Sequence, residues 1–365
     1  MKKIKAFQLI IISIVYLLKN HFLLAKEIDF KKNTEISLYR KIVLNYKFLQ
    51  EKKHDYNLFF SYGFLCNLKF SQNVSSFCKI EHTPFKNKYG DNLFFEKSIS
   101  SNFGMNIYKN TIEYGKNRIA LSEVSDFIKN IPSFDKYFNF KNVVLGYFPG
   151  KIVTYRNSDL YNIFPGLTFT LQRVFPWNSY FINIKNDIKN IYNHAYSAAI
   201  KYHLKTNNIS LATSYLKNYA TYMLVDNKKQ YNSQFFSLGV KYEQSPIYLA
   251  ILYGKKWHTN LDDNFNDIFL LHERILSNNK SIEFLSHYNL NDSIRPFIGY
   301  LISNTNTIGN NNLNKIQEKN IIFGTSMHLD DNSEMTIHYL VKNNRISNDE
   351  IKRFNELSLG VSYNF

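Results

Sequence analysis

Past its first 25 residues, the chain has no apolar run of the roughly 20 residues that a membrane-spanning helix takes. Only two cysteines are present, Cys66 and Cys78, so no disulfide framework holds the fold. No proline- and glycine-rich linker divides the chain, and no solenoid-type repeat recurs. The ten histidines lack the paired spacing of a zinc site, and no cysteine pair sits at metal-ligand spacing. A phosphate-cradling glycine loop and a glycine-x-serine-x-glycine nucleophile elbow are missing too. These absences leave no catalytic set, no metal site and no cofactor site to nominate. The formal charge is +16, but its lysines are scattered singly among Asn, Ile, Phe and Tyr. Nucleic-acid surfaces cluster their cations, so none is expected as a partner. Those four residue types share A- and T-rich codons, so drift of genome composition is a sufficient cause of the excess, with selection for anionic partners the alternative.

What is present begins with an export address. "MKKIK" is a basic start, "AFQLIIISIVYLL" a 13-residue apolar core, and "FLLA" precedes Lys26. That layout is a signal peptide, expected to be removed, over residues 1–25; an uncleaved anchor is the alternative. Residues 26–365 are then one domain, with a charge of +12 once Lys2, Lys3, Lys5 and Lys19 leave.

The rest of the chain alternates. In "NELSLGVSYNF", Leu357, Leu359, Val361, Tyr363 and Phe365 are apolar, and the residues between them are polar or small. That period of two marks a strand with one apolar face, and its length suits the roughly 9–11 residues of a tilted bilayer-crossing strand. The pattern recurs in "ISLYRKIVLNYKF", "FSLGVKY", "SIRPFIGYLI", "IIFGTSMHL" and "MTIHYLV", separated by turn clusters such as "LKTNN" and "HLDDNSE". One helical turn is expected near "LSEVSDFIKN". The class is all-β, and 58 Tyr and Phe, many at strand ends, resemble the aromatic girdles of membrane barrels. At about 21 residues per strand and connection the domain holds about 16 strands, enough to enclose an aqueous channel. A pair of soluble β-sandwiches is the alternative. Cys66 and Cys78 flank the turn at "FSQNVS" and face each other or not, according to register.

Several stretches carry a resemblance. "KEIDFKKNTEISLYRKIVLNY", "TIEYGKNR", "KIVTYRNSDLYNIFPGLTFTLQ", "FSLGVKYEQSPIYLAILYG", "SIRPFIGYL" and the block 322–365 are similar to the general trimeric porins of enterobacterial outer membranes, the osmoporins among them. The likeness runs in order over 26–365 and is weak in 48–110, 179–235 and 259–285. It implies a 16-stranded antiparallel transmembrane β-barrel with an inward-folded third loop. It further implies a homotrimer in the outer membrane of a Gram-negative bacterium, in contact with its lipid, passing ions and small hydrophilic solutes passively. The terminal strand, with Phe365 and Tyr363, is then the signal read by the barrel-insertion machinery.

The same resemblance makes "DFIKNIPSFDKYFNF" the constricting loop, anchored by Pro132 and Phe134. Lys129 and Ser133 stand where the family carries loop carboxylates, and Asp135 is either a displaced negative charge or a turn residue. On the wall, Lys41 matches a family lysine, while Ser61, Ile99 and Phe148 fall where arginines are expected; Lys97 is the alternative counterpart near Ile99. A constriction so altered implies weak selectivity leaning toward anions. Arg40 falls on the apolar alternation of its strand. His203, His258, His287 and His338 read as lumen or loop residues. Two other functions stay open: a plugged structural or surface-interaction barrel, and a barrel enzyme.

Overall fold

The structure is a computed structural model that describes residues 28–29, 34–49, 54–84, 97–128, 150–182, 187–204, 206–224, 227–259, 278–306, 315–330, 332–346 and 351–364. Among these, sixteen strands form one antiparallel sheet. They are β1 (Thr34–Leu49), β2 (His54–Ser71), β3 (Val74–Pro84), β4 (Lys97–Ile107), β5 (Asn110–Lys116) and β6 (Ile152–Asn157). β7 comes in two pieces, Leu167–Val174 and Trp177–Ile182, parted at Pro176, which has no N–H to give the ladder. There follow β8 (Asp187–Leu204), β9 (Ile209–Leu224), β10 (Asn227–Gln244), β11 (Ile247–Thr259) and β12 (Asn278–Tyr288). The last four are β13 (Ile294–Asn306), β14 (Lys315–Asp330), β15 (Ser333–Ile346) and β16 (Ile351–Asn364). A two-residue strand, Ile28–Asp29, lies beside β1.

Each strand pairs with its successor, and β16 pairs back on β1 from Asn364↔Lys41 to Glu356↔Leu49. Pairing therefore runs in a ring. An open edge in lipid would strand backbone N–H and C=O groups at several kcal/mol each, and the pairing of β16 with β1 covers the edges of the first and last strands. At one end the connections are tight, as at Gln72–Asn73, Tyr108–Lys109 and Ser245–Pro246. Tyr108 and Asn208 take positive φ there, 54° and 53°. The longer connections, 85–96, 117–151 and 260–277, share the opposite end.

Alternation sorts the two faces as the sequence implies. Leu238, Val240, Ile298, Phe323, Ile337 and Leu357 are exposed on the outer face. Their neighbours Ser237, Gly239, Thr336, His338 and Ser358 are buried on the inner one. A monomer alone exposes such an apolar band only because its solvent is lipid. Cys66 and Cys78 are direct partners across the β2–β3 hairpin, and both thiols are free. His203, His287 and His338 lie on inner alternations, the latter two buried. The side chains of His258 and Arg40 lie outside the described residues.

Candidate functional site

After β5 the chain leaves the wall and turns inward. Its sequence there, "NRIALSEVSDFI", has too many apolar residues for a surface loop. Ile119, Ala120, Leu121, Val124, Phe127 and Ile128 are all buried. A short α-helix, α1 (Ser122–Ser125), is continued by a 3-10 turn at Asp126–Ile128. Both pack on the inner side of β9–β11.

The bed beneath is made of small residues. Ala212, Gly239 and Ala250 let the segment approach closely, and Leu252, Leu285 and Phe297 complete the apolar cluster. A Cβ on Gly239 would stand 3.0 Å from Val124 Cγ1 and 3.1 Å from Phe127 Cδ2. The Tyr248 hydroxyl donates to the Phe127 carbonyl, which caps the end of the 3-10 turn. Lys201 and Lys241 stand 5.8 and 5.6 Å from the centre of the Phe127 ring, within cation–π range.

A polar clamp fixes the start of the segment. The buried Gln172 uses its whole amide. Its Oε1 accepts from the Ala120 backbone N–H at 2.6 Å and from Ser197 Oγ at 2.8 Å. Its Nε2 donates to the Arg118 carbonyl and to Thr154 Oγ1, both at 3.0 Å. Beside it, Arg156 bridges wall and loop. Its Nη2 donates to Glu123 Oε1 at 3.0 Å, and its Nη1 lies 3.6 Å from Glu113 Oε1. Thr170 Oγ1 also donates to Glu123, at 2.6 Å. Asn102 and Asn117 donate to the second oxygen of Glu113. The two carboxylates keep only 8% and 13% of their side-chain surface, so their charge is held by these partners rather than by water.

Arg118 pairs with Asp126 across the helical turn. Burial raises the Asp126 carboxyl above its ordinary value, and Arg118 only partly offsets this.

The geometry is that of an antiparallel ring with a segment fastened across its inside. A family model described as "Gram-negative porin" matches residues 31–365. The chain belongs to the Gram-negative porins. A porin-like protein of Buchnera aphidicola subsp. Schizaphis graminum is 23% identical, over 93% of this chain and 94% of its own length. The outer membrane porin PhoE of Salmonella typhimurium is 21% identical over 98% of each chain. Among solved structures, Salmonella typhi OmpF in complex with daunomycin superposes with a TM-score of 0.70 at 16% identity, covering 93% of this chain and all of that one. The fold is thus kept where identity is low, and this porin is an outer-membrane protein of the channel-forming kind.

In this porin the inward segment is the start of the third connection at the long-connection end, after 50–53 and 85–96. Lys129, Pro132, Ser133, Phe134, Asp135 and Phe148 lie outside the described residues, as does Phe365. Lys41 is placed on β1 as the direct partner of Ser61 on β2, out of step with the exposed Leu38 and Tyr62. Its side chain is outside the described residues. Tyr363 is partly exposed on β16, opposite Ser333 and Ile42.

Ile99 and Lys97 lie on β4 opposite His82 and Pro84 of β3, and their side chains are outside the described residues.

The clamp itself was not anticipated. Arg156 stands in "TYRNSDL", among the most specific pieces of the resemblance, and that specificity was the available signal. The same motif supplies Asn157 and Asp159. Asn157 Oδ1 accepts the Tyr161 N–H at 3.0 Å, and Asp159 accepts from Gly166 N at 2.8 Å and Lys109 Nζ at 2.9 Å. These bonds hold the turn after β6, where Asp159, Leu160 and Tyr161 all take positive φ.

Proposed function

We propose that this porin is a passive channel for ions and small hydrophilic solutes, working as a homotrimer with weak preference for anions. The supporting observation is the clamp: Gln172 and Arg156 fasten the segment 117–128 across the inner wall. A segment held this way lies against one side of the inner wall, as a constricting loop of an open channel would. Lys201 and Lys241 beside Phe127 add positive charge to the wall around it. Lys41, Lys129, Pro132, Ser133, Phe134, Asp135 and Phe148 are taken to line the narrowest part. Residues 1–25 are taken as a removed signal, leaving 26–365 as the mature domain. Phe365 and Tyr363 are taken as the mark read by the insertion machinery; normal assembly after deletion of Phe365 would refute that role.

Planar-bilayer recording under a salt gradient tests the channel. Openings in three sub-levels with a small reversal potential toward anions are expected, and a reversal potential toward cations would overturn the assigned preference.

A plugged structural barrel is the second reading, and one observation favours it. Ala250, Leu285, Gly299, Ile322 and Leu340 form a continuous register row on the inner face of β11–β15. None of its four side chains is more than 3% exposed. Silent but correctly folded protein would select this reading.

A further inference from the structure

The chain's only two cysteines meet on the outer wall. Cys66 on β2 and Cys78 on β3 are direct partners, in the row Ile36↔Cys66↔Cys78↔Phe103. Both share the alternation of exposed Tyr62, Leu68 and Ile80, so both thiols point away from the bore. Directly opposed residues of an antiparallel pair hold their Cα atoms about 4.5 or 5.5 Å apart, and both values lie within the span of a disulfide. Closure asks the two Cβ atoms to approach by about 1 Å. Both thiols are free in the structure, which is thus the reduced form of the pair.

The surroundings decide when oxidation takes place. The rows on either side are Phe64↔Ile80 and Leu68↔Ser76, and Leu68, Ile80 and Phe103 are exposed on a face whose solvent is lipid. The attacking species in disulfide exchange is a thiolate, and hydrocarbon does not solvate that charge. Exchange therefore belongs to the passage through the periplasm, an oxidising compartment, before lipid covers the hairpin. A bond at this place also serves the hairpin. Its register shifts between Lys69 and Ser71, and a slip of one residue would turn the apolar face of a strand inward.

We propose that Cys66 and Cys78 are a modification site, joined as an intrachain disulfide before membrane insertion, and that the bond pins the β2–β3 register. The oxidant is a disulfide carrier of the thiol–disulfide oxidoreductase class. One cysteine, its proton released to water, attacks a carrier sulfur as the thiolate. The carrier's S–S bond breaks and a mixed disulfide forms. The second cysteine, likewise deprotonated, attacks the chain's own sulfur in that mixed disulfide. The Cys66–Cys78 bond forms as the carrier's second thiolate leaves. The pair gives up two electrons and two protons, and the carrier takes them up to become a dithiol. The site makes no use of the bore.

Trypsin reads the link directly, because Lys69 lies between the two cysteines. It releases His54–Lys69 and Phe70–Lys79, which stay together only through a disulfide. The full protein is taken from membranes with an acid quench, its free thiols are alkylated, and it is digested without reductant. The joined peptides are expected in place of two alkylated ones, and reduction should separate them. Cys66→Ser or Cys78→Ser should abolish the joined species, with the remaining cysteine taking the label. Timing is tested with reduced full-length protein and oxidised glutathione. The joined species should form in the unfolded chain, and should fail to form once the protein has folded into phosphatidylcholine vesicles. Protein lacking both cysteines should give a smaller heat-resistant fraction in those vesicles than the oxidised parent, and equal fractions would refute the register role. Two alkylated peptides from membrane-derived protein would overturn the inference. So would a peptide joined to its own copy, which would make the thiols a contact between two chains. Equal oxidation before and after folding would refute the timing.

Discussion

The side-chain oxygen of Gln172 accepts the backbone N–H of Ala120 at 2.6 Å, joining residues 52 positions apart. The same amide reaches Arg118, Thr154 and Ser197, so one side chain of β7 ties the inward segment to β6 and β8. All its hydrogen-bonding capacity is used inside a buried site. That is a costly arrangement to disturb.

Gln172→Leu should therefore lower stability by about 1–3 kcal/mol for each buried partner left unpaired, and free the segment to move. Thermal unfolding in detergent should shift downward. Single-channel current should become noisier or larger, because the segment no longer holds one position. Quiet channels of unchanged size would show that the apolar bed alone fixes the loop.

Gly239 tests that bed. Alanine there meets Val124 and Phe127 at 3.0–3.1 Å, which demands a shift of a few tenths of an ångström. Gly239→Val demands more, and overpacking of this kind costs about 1–3 kcal/mol. The expected outcome is a displaced segment, read as altered conductance, with the ring of strands intact by gel mobility. A valine variant with native conductance would mean that the segment does not rest on β10 in the membrane.

Much of the fold was legible because strands report themselves locally. Leu238, Ile298 and Leu357 each alternate with a buried small or polar neighbour, and that pattern needs no partner strand to be seen. The clamp was not legible for the opposite reason. Glu113, Glu123, Arg156 and Gln172 lie tens of residues apart, and each looks like any polar residue on a channel wall. Only the registers Glu113↔Thr154 and Thr154↔Gln172 bring them together. "LSEVSDFIKN" lay between these extremes, since its helical turn was visible but its place against β9–β11 was not.

Arg156 holds two carboxylates that are largely out of water. Arg156→Ala leaves both without their cation; the Arg156 side chain is itself 37% exposed, so water screens the pairs and the loss is about 1–3 kcal/mol. Arg156→Lys should recover little, because one ammonium cannot reach Glu113, Glu123 and Thr170 as the guanidinium does. Adding Glu123→Gln to the alanine variant should restore part of the loss. Unfolding midpoints of the three variants check the order, and full rescue by lysine would sink the bridging role.

Asp126 gives the segment a pH dependence outside the strands. Its carboxyl is raised above 3.8 because burial outweighs the attraction of Arg118. A group whose value is raised on folding contributes stability that is complete below its unfolded value. That contribution is lost as pH rises through the folded one. Acidification toward 3.8 should thus relieve a cost that is present at neutral pH. Asp126→Asn removes the titration. The variant should be at least as stable as the parent at neutral pH, and its advantage should shrink as the pH is lowered. Thermal unfolding of both proteins across the acid range is the measurement. A variant weaker at neutral pH, with parity only in acid, would show that the pairing with Arg118 outweighs burial.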